Sequence, residues 1–490
     1  MGFPDARRGK AGADFVSSRS SGSGRRGSGL ARAAVPVALV LSRYEGLVLL
    51  VVAPLLLFPS PVRTPALLAI PALWICRRVA LGHLIPRTPL EVPLLLLMLM
   101  VLVSLYATFD IAFSLPKITG MLLGLAVYYA LVEAAADRRR WALALGGFIL
   151  AGVGVAVLGL LGTQWSAKFA IFAPILRWLP PRIPGLPGAA EGFHPNEVAG
   201  ALLWVVPLAC ALAAVAVLGA RSIARSLGRL RGAVLLVVMV AFAAFLVGVL
   251  VLTQSRGGWI AAALVLPVVL LVLVQGKLRR AVAVILAAAV IAAVVWIAIA
   301  RPDALDPLAI GLQPDPSPGM SLDTLTGRIE VWSRAIYGIQ DFAFTGMGMN
   351  TFRKVVPVLY PLFSVDPSVD IGHAHNTFLQ AALDLGIPGL IAYLAIHISA
   401  FAMLASSWRR RGGLPFPELL SRALILGLGG GLAAHLIYGL TDAVALGAKP
   451  GVLWWMLLGL AASLYRGPAL REEARPKPED RCSSLLRAPR

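Results

Sequence analysis

The sequence predicts an all-α polytopic membrane protein, with about twelve transmembrane helices and one large, partly helical extracytoplasmic loop. Three observations predict it. Hydrophobic residues make up 58% of the chain and charged residues only 14%, against about 25% charged in a soluble globular domain. A chain of 490 residues this poor in charge cannot cover two or three soluble domains with polar surface, whereas a lipid-facing exterior needs none. Apolar runs near the length that crosses a bilayer, ~20 residues, recur from end to end. Lys and Arg cluster in alternate gaps between those runs, the asymmetry that orients a membrane chain.

The runs fall near 35–59, 64–76, 90–108, 113–134, 141–163, 197–219, 232–252, 257–276, 281–300, 377–405, 418–440 and 449–465. The second is short, and the first is interrupted by Arg43 and Glu45. With the amino terminus in the cytoplasm, the cytoplasmic segments hold Arg77-Arg78, Arg138-Arg139-Arg140, the Arg221/Arg225/Arg229/Arg231 loop, Lys277/Arg279/Arg280 and Arg409-Arg410-Arg411. That side carries 32 Lys and Arg and the other 12, accounting for all 44. A miscounted span would invert every later loop, so the expectation is twelve spans with both termini cytoplasmic.

The expected domains follow. Residues 1–33, rich in Ser, Gly and Arg, form a disordered basic cytoplasmic tail. Residues 34–300 carry spans one to nine, with an external amphipathic loop near 164–196. Residues 301–376 form the large external loop, 377–465 the last three spans, and 466–490 a second basic tail. The net charge of +20 does not indicate nucleic acid, because the basic residues lie between apolar runs rather than on one face. Cys76, Cys210 and Cys482 lie far apart and suggest neither a disulfide framework nor a zinc site.

Within the first external loop, residues 165–179 are amphipathic and precede a Pro/Gly-rich stretch, which fits an interfacial helix. The second begins with Pro302, Pro307, Pro314, Pro316 and Pro318, and residues 324–338 read as a helix. A loop this long in a compact protein is usually functional.

The candidate residues for chemistry gather on the external side. Arg256 lies in TQSRGGW at the start of the eighth span. An ionisable group at such a boundary is a functional candidate or a snorkelling interfacial Arg; Gly257 and Gly258 leave room for a ligand beside it. Arg328 and, more weakly, Arg334 belong to the loop helix with Glu330 nearby. They form either a solvated face or an anion site, since guanidinium offers a planar fork of donors suited to phosphate. His373 and His375 stand where the chain re-enters the membrane. They fit a metal site, a general base at neutral pH, or two loop histidines without a role. Asp370 is the one close acid in sequence and no cluster completes a coordination shell, so no metal and no cofactor is expected. His194 precedes Asn196 and Glu197, which could cap the sixth span. His397 and His435 lie within spans, and His83 on the cytoplasmic side. Walker A, GxSxG, HExxH and DxD patterns are absent.

His375-Asn376, nine residues, Gly386, two residues and Gly389 resemble the His-[Asn/Ser/Gln]-x9-Gly-x-x-[Gly/Thr/Tyr] motif of the O-antigen ligase family. Ser255-Arg256-Gly257 opening a span, Gly327-Arg328 with Trp332, and HPNEVAG with Asn196 also resemble that family's pattern, in its order, over roughly 190 to 395. The superfamily includes O-antigen ligases, O-antigen polymerases and protein O-oligosaccharyltransferases. The resemblance implies a bacterial inner-membrane glycosyltransferase of polysaccharide, lipopolysaccharide or cell-envelope synthesis. Its donor would be a glycan on polyprenyl (undecaprenyl) diphosphate, and its acceptor a hydroxyl of a glycan, lipid or protein. Transfer would be inverting, metal-independent and external. His375 would be the general base and His373 an assistant; Arg256 and Arg328 would hold the diphosphate. A polymerase of the same superfamily shares these residues. A twelve-span transporter is disfavoured by the scarcity of charge deep in the spans.

Overall fold

The computed structural model describes residues 29–134, 137–179, 182–184, 192–285, 288, 325–363, 371–413 and 417–473. Among these residues every regular element is helical, and only an isolated bridge pairs Thr163 with Phe193. Seven helices are long and apolar enough to cross a membrane: Thr64–Leu81, Ile111–Ala134, Arg138–Gly162, Arg229–Leu252, Arg256–Leu273, Thr377–Arg409 and Glu418–Tyr438. Two bent pairs, Val35–Arg43 with Glu45–Leu57 and Pro195–Leu202 with Val206–Leu218, raise the number to nine if each is one span. The chain is a multi-pass helical membrane protein. Of the other expected spans, Glu91–Ala107 is apolar but shorter, and most of 281–300 lies outside the described residues. The last falls within the helix Val452–Glu473.

Charge explains the first bend. The helix breaks by 71° between Arg43 and Glu45. Glu45 turns inward and accepts from Arg77 Nη2 at 2.5 Å, while Arg77 Nη1 donates to the Leu84 carbonyl at 2.9 Å. Arg77 was expected in a cytoplasmic loop. It lies instead inside the helix Ala69–Leu81 with 0% of its surface exposed. The second span therefore runs on to Leu81 rather than stopping at 76, because Glu45 neutralises the charge that the longer helix must bury.

Small residues set the central packing. A Cβ at Gly124 would meet the Trp455 ring at 2.0 Å, and one at Gly459 would meet Leu131 at 2.8 Å. The last helix thus sits against Ile111–Ala134, with Trp454, Trp455, Leu457 and Leu460 buried. Trp141 Nε1 ties it to the neighbouring helix by donating to Ser463 Oγ at 2.7 Å. The helix continues past the expected tail boundary to Glu473. His397 and His435 lie in this interior. Trp454 Nε1 faces His397 Nε2 at 3.3 Å, and His435 packs on Trp204 with ring centroids 4.7 Å apart.

Residues 1–28 and 474–490 of the expected tails, and 301–324 and 364–370 of the expected loop, lie outside the described residues. So does Asp370. The described part of that loop carries the helices Leu325–Asp341 and Phe352–Leu359. Val331, Ala335, Met347, Phe352 and Val356 bury a small core of their own against Leu383. The loop is thereby pinned to the start of the helix Thr377–Arg409.

Candidate functional site

The motif around His375 builds a helix start. Asn376 is the N-cap of Thr377–Arg409, and its Oδ1 accepts from the N–H groups of Phe378 (2.9 Å) and Leu379 (3.1 Å). This satisfies donors that a helix start leaves open. Nine residues on, Gly386 interrupts the helix with φ 72° and ψ 177°. A Cβ there would lie 2.2 Å from the Phe344 carbonyl oxygen, so glycine lets the loop corner dock, and Ile387 N–H donates to Ala343 O at 2.7 Å. A Cβ at Gly389 points at Leu385, 2.2 Å from its Cβ. The spacing of the motif is therefore that of a cap, one short helix and a docking corner.

His375 stands just before the cap with φ 47°, a left-handed conformation uncommon for a residue with a side chain. Its ring nitrogen Nδ1 lies 3.2 Å from Asp442 Oδ1. A carboxylate only accepts, so Nδ1 carries the proton and Nε2 is left as a base. Asp442 follows the helix Glu418–Tyr438. Its Oδ2 accepts from Asn196 Nδ2 at 2.7 Å, and its Oδ1 also accepts from the Ala443 N–H at 2.9 Å. Burial alone would raise the Asp442 carboxyl. The hydrogen bond from His375, with the histidines once protonated in acid and the Arg328 charge, outweighs burial and holds it below the usual carboxylate range.

Arg328 reaches the same corner. It donates to the Thr441 carbonyl at 2.5 Å, and its Nη2 lies 3.7 Å from Asp442 Oδ2. Arg256 is the first residue of the helix Arg256–Leu273, which Ser255 caps by accepting from Gly258 N–H at 3.4 Å. A Cβ at Gly257 would meet Thr441 Oγ1 at 2.6 Å, and one at Gly258 would meet Ala199 at 3.1 Å. The two glycines were expected to leave room for a ligand. They are instead filled by close packing of the helix start, Gly257 on Thr441 and Gly258 on Ala199, so the residue after Arg256 touches the neighbour of Asp442. Arg334 is not brought there. It bonds Glu330 and the Pro361 carbonyl and lies over the rings of Tyr337 and Phe363.

His373 packs on His375 with ring centroids 4.4 Å apart, and its Nδ1 accepts from the His375 N–H at 3.2 Å. Burial, with the neighbouring His375, pushes the His373 pKa down to about 3. It is therefore neutral near pH 7, as an acceptor must be. The expected cap of the sixth span is corrected. His194, not Asn196 or Glu197, is the N-cap of Pro195–Leu202 and accepts from Asn196 N–H at 3.3 Å. Asn196, inside the first turn, is thereby free to turn its amide to Asp442.

The sequence reading missed Asp442. The one signal for it was an acid in YGLTDA, at the end of an apolar run. Lys117, on the helix Ile111–Ala134, was missed as well and bears electrostatically on His373. Asp442 also supplies the acid that a metal site lacked in sequence: ligand atoms of His373, His375 and Asp442 lie within 4.8 Å of one another. Some of their polar atoms also have protein partners. Both Asp442 oxygens accept from N–H groups, His375 Nδ1 faces Asp442, and His373 Nδ1 serves the His375 backbone. The cluster thus combines a histidine oriented by a carboxylate with three groups of metal-ligand type.

Residues 241–394 match the sequence profile of the family described as O-antigen ligase. The matched stretch includes Arg256, Arg328, His373, His375, Asn376, Gly386 and Gly389, and leaves out Asn196 and Asp442. No curated protein matches the chain.

Proposed function

We propose that the chain is an O-antigen ligase-like glycosyltransferase of the bacterial inner membrane. It moves a glycan from a polyprenyl-diphosphate carrier to an acceptor hydroxyl on the external face. The observation that carries this reading is the His375–Asp442 pair, met by Arg328 at the same carboxylate, beside a stretch that matches O-antigen ligases. Twelve spans with cytoplasmic termini would hold the carrier's tail in hydrocarbon while its head reaches this corner.

His375 Nε2 takes the proton of the acceptor hydroxyl as its oxygen bonds to the sugar anomeric carbon. The bond from that carbon to the phosphate oxygen breaks, and its electron pair leaves with the diphosphate. Attack opposite the leaving group inverts the centre. Asp442 holds the imidazole by Nδ1 and offsets the positive charge it gains, the role a carboxylate plays beside a histidine base. Charge growing on the diphosphate near a bilayer is poorly screened, so guanidinium groups of Arg256 and Arg328 stabilise it. No step requires a metal.

The test is transfer in proteoliposomes from a polyprenyl-diphosphate glycan, with wild type and His375→Ala, each with and without EDTA. Transfer by wild type that resists EDTA and falls in His375→Ala is expected. Full activity of the variant removes His375 as base, and loss in EDTA removes the metal-free reaction. A product lengthened on its carrier, rather than moved to a separate acceptor, would identify a polymerase.

A further inference from the structure

Gln254 binds three backbone groups of a distant segment. Its Oε1 accepts from the N–H groups of Lys168 (2.8 Å) and Phe169 (3.0 Å), and its Nε2 donates to the Ser166 carbonyl at 2.8 Å. The side chain is buried and the backbone is left-handed, with φ 52°. That conformation is unfavourable for a residue with a side chain, and the three bonds offset it. Trp259 holds the same segment from the other side. Phe169 stacks on its ring at 5.3 Å, and Phe172 lies 5.8 Å from it. Gln254 and Trp259 stand two residues before and three after Arg256. Segment 166–172 is thus fastened to the turn that carries this Arg.

The outer side of this segment is apolar. Ile171 is 77% exposed, Ile175 49% and Trp178 89%. The segment follows the end of one candidate span, Arg138–Gly162, and lies through Phe169 and Phe172 against Trp259 in the first turn of another, Arg256–Leu273, whose Ile260 and Leu264 are exposed. That place selects the occupant, because an apolar face held where two candidate spans end and begin lies at the level where lipid meets water. Trp at such an edge suits the headgroup level, and a short apolar face buries itself a few ångströms into the interface.

We propose that residues 166–178 form a membrane-interface strap inserted in the lipid leaflet, and that Gln254 is a positioning residue that ties Arg256 to the depth of this strap. The insertion stands on its own. Its consequence for catalysis rests on the reading of Arg256 as a diphosphate ligand, since a lipid-linked diphosphate can be gripped only where its headgroup lies.

The experiment uses the full chain in phosphatidylethanolamine/phosphatidylglycerol nanodiscs, with Cys76, Cys210 and Cys482 changed to Ala. A fluorophore is placed at Trp178→Cys. Quenching by a lipid with a shallow nitroxide is expected to exceed quenching by aqueous iodide at least threefold; the reverse order overturns insertion. Gln254→Ala should cut the lipid quenching at least twofold. Gln254→Glu keeps both acceptor bonds to Lys168 and Phe169 and should restore part of it. Unchanged quenching in Gln254→Ala overturns the tie. If that variant does not accumulate, Phe169→Leu, which loses the stack on Trp259, must show the same loss. None of these readings needs glycan transfer, so failure of the transfer assay leaves them decisive. Where transfer is measured, Gln254→Ala should raise KM for the lipid-linked donor about fivefold, and Gln254→Glu should recover part of that.

Discussion

His375 Nδ1 and Asp442 Oδ1 lie 3.2 Å apart although 67 residues separate them in the chain. The contact is held from both sides: Asn376 caps one helix, and Thr377 N–H donates to the Gly439 carbonyl at 2.8 Å. A histidine held in one tautomer by a buried carboxylate keeps Nε2 unprotonated, as the proposed base requires. A positioned base contributes about 10²–10⁴-fold. Asp442→Asn should therefore lower kcat by roughly 10²-fold or more, and the double variant with His375→Ala should be no worse than His375→Ala alone, because the two act as a unit. Rates from the lipid-linked donor in proteoliposomes check both; additive losses would separate the pair.

Arg256→Lys and Arg328→Lys should each impair transfer. Lys keeps the charge and loses the planar fork. At Arg328 the bond to the Thr441 carbonyl is at risk as well. Donor titrations in the same assay report the effect, and wild-type rates in both variants would remove the diphosphate assignment.

Acid should destabilise the folded protein in two stages. The His373 pKa is pushed down to about 3, from about 6.5 in the unfolded chain. The unfolded state therefore binds more protons as pH falls from about 6.5 to about 3, and stability falls over that window. Asp442 is also depressed, below about 3.9 for the unfolded chain. Its contribution is present above that value and lost below it. Thermal melts in detergent from pH 7.5 to 4 should show a falling Tm. His373→Gln should flatten the upper part of that fall; an unchanged slope would contradict the assignment.

Gly386→Ala should prevent accumulation of folded protein. The added Cβ would lie 2.2 Å from the Phe344 carbonyl oxygen at φ 72°. Left-handed strain costs roughly 1–2 kcal/mol and overpacking about 1–3 kcal/mol more. Gly154→Ala, where nothing lies within 4 Å, should be neutral. Size-exclusion profiles of both variants test the contrast.

Arg77→Ala should destabilise by about 3–5 kcal/mol, because it strands the Glu45 charge in the interior. Arg77→Met with Glu45→Gln should recover most of that loss. Melting temperatures in detergent distinguish the two, and a mild single variant would show that the pair is not buried in the membrane protein.

The helical membrane class was legible because lipid imposes one simple demand: long apolar runs with little charge. The spacing of His375, Asn376, Gly386 and Gly389 was legible as a resemblance to a family motif; that it encodes a cap, a short helix and a left-handed corner was shown by the structure. Arg256 and Arg328 could be singled out as boundary cations, though not the reach of Arg328 to the Thr441–Asp442 corner. Arg77 shows the limit for topology, since a buried partner changed what a basic residue near a span end means. Asp442 shows the limit for chemistry. A carboxylate becomes a partner of His375 only when helix starts and ends from separate parts of the chain are packed together, and close approach at Gly257 and the amide of Asn196 are what pack it there. By itself the sequence determined a multi-pass helical chain, with His375 where the chain re-enters the membrane and Arg256 and Arg328 as candidate cations. Only the tertiary structure decided which acid orients that histidine, because hydrogen bonds across 67 and 246 residues leave no periodicity to read.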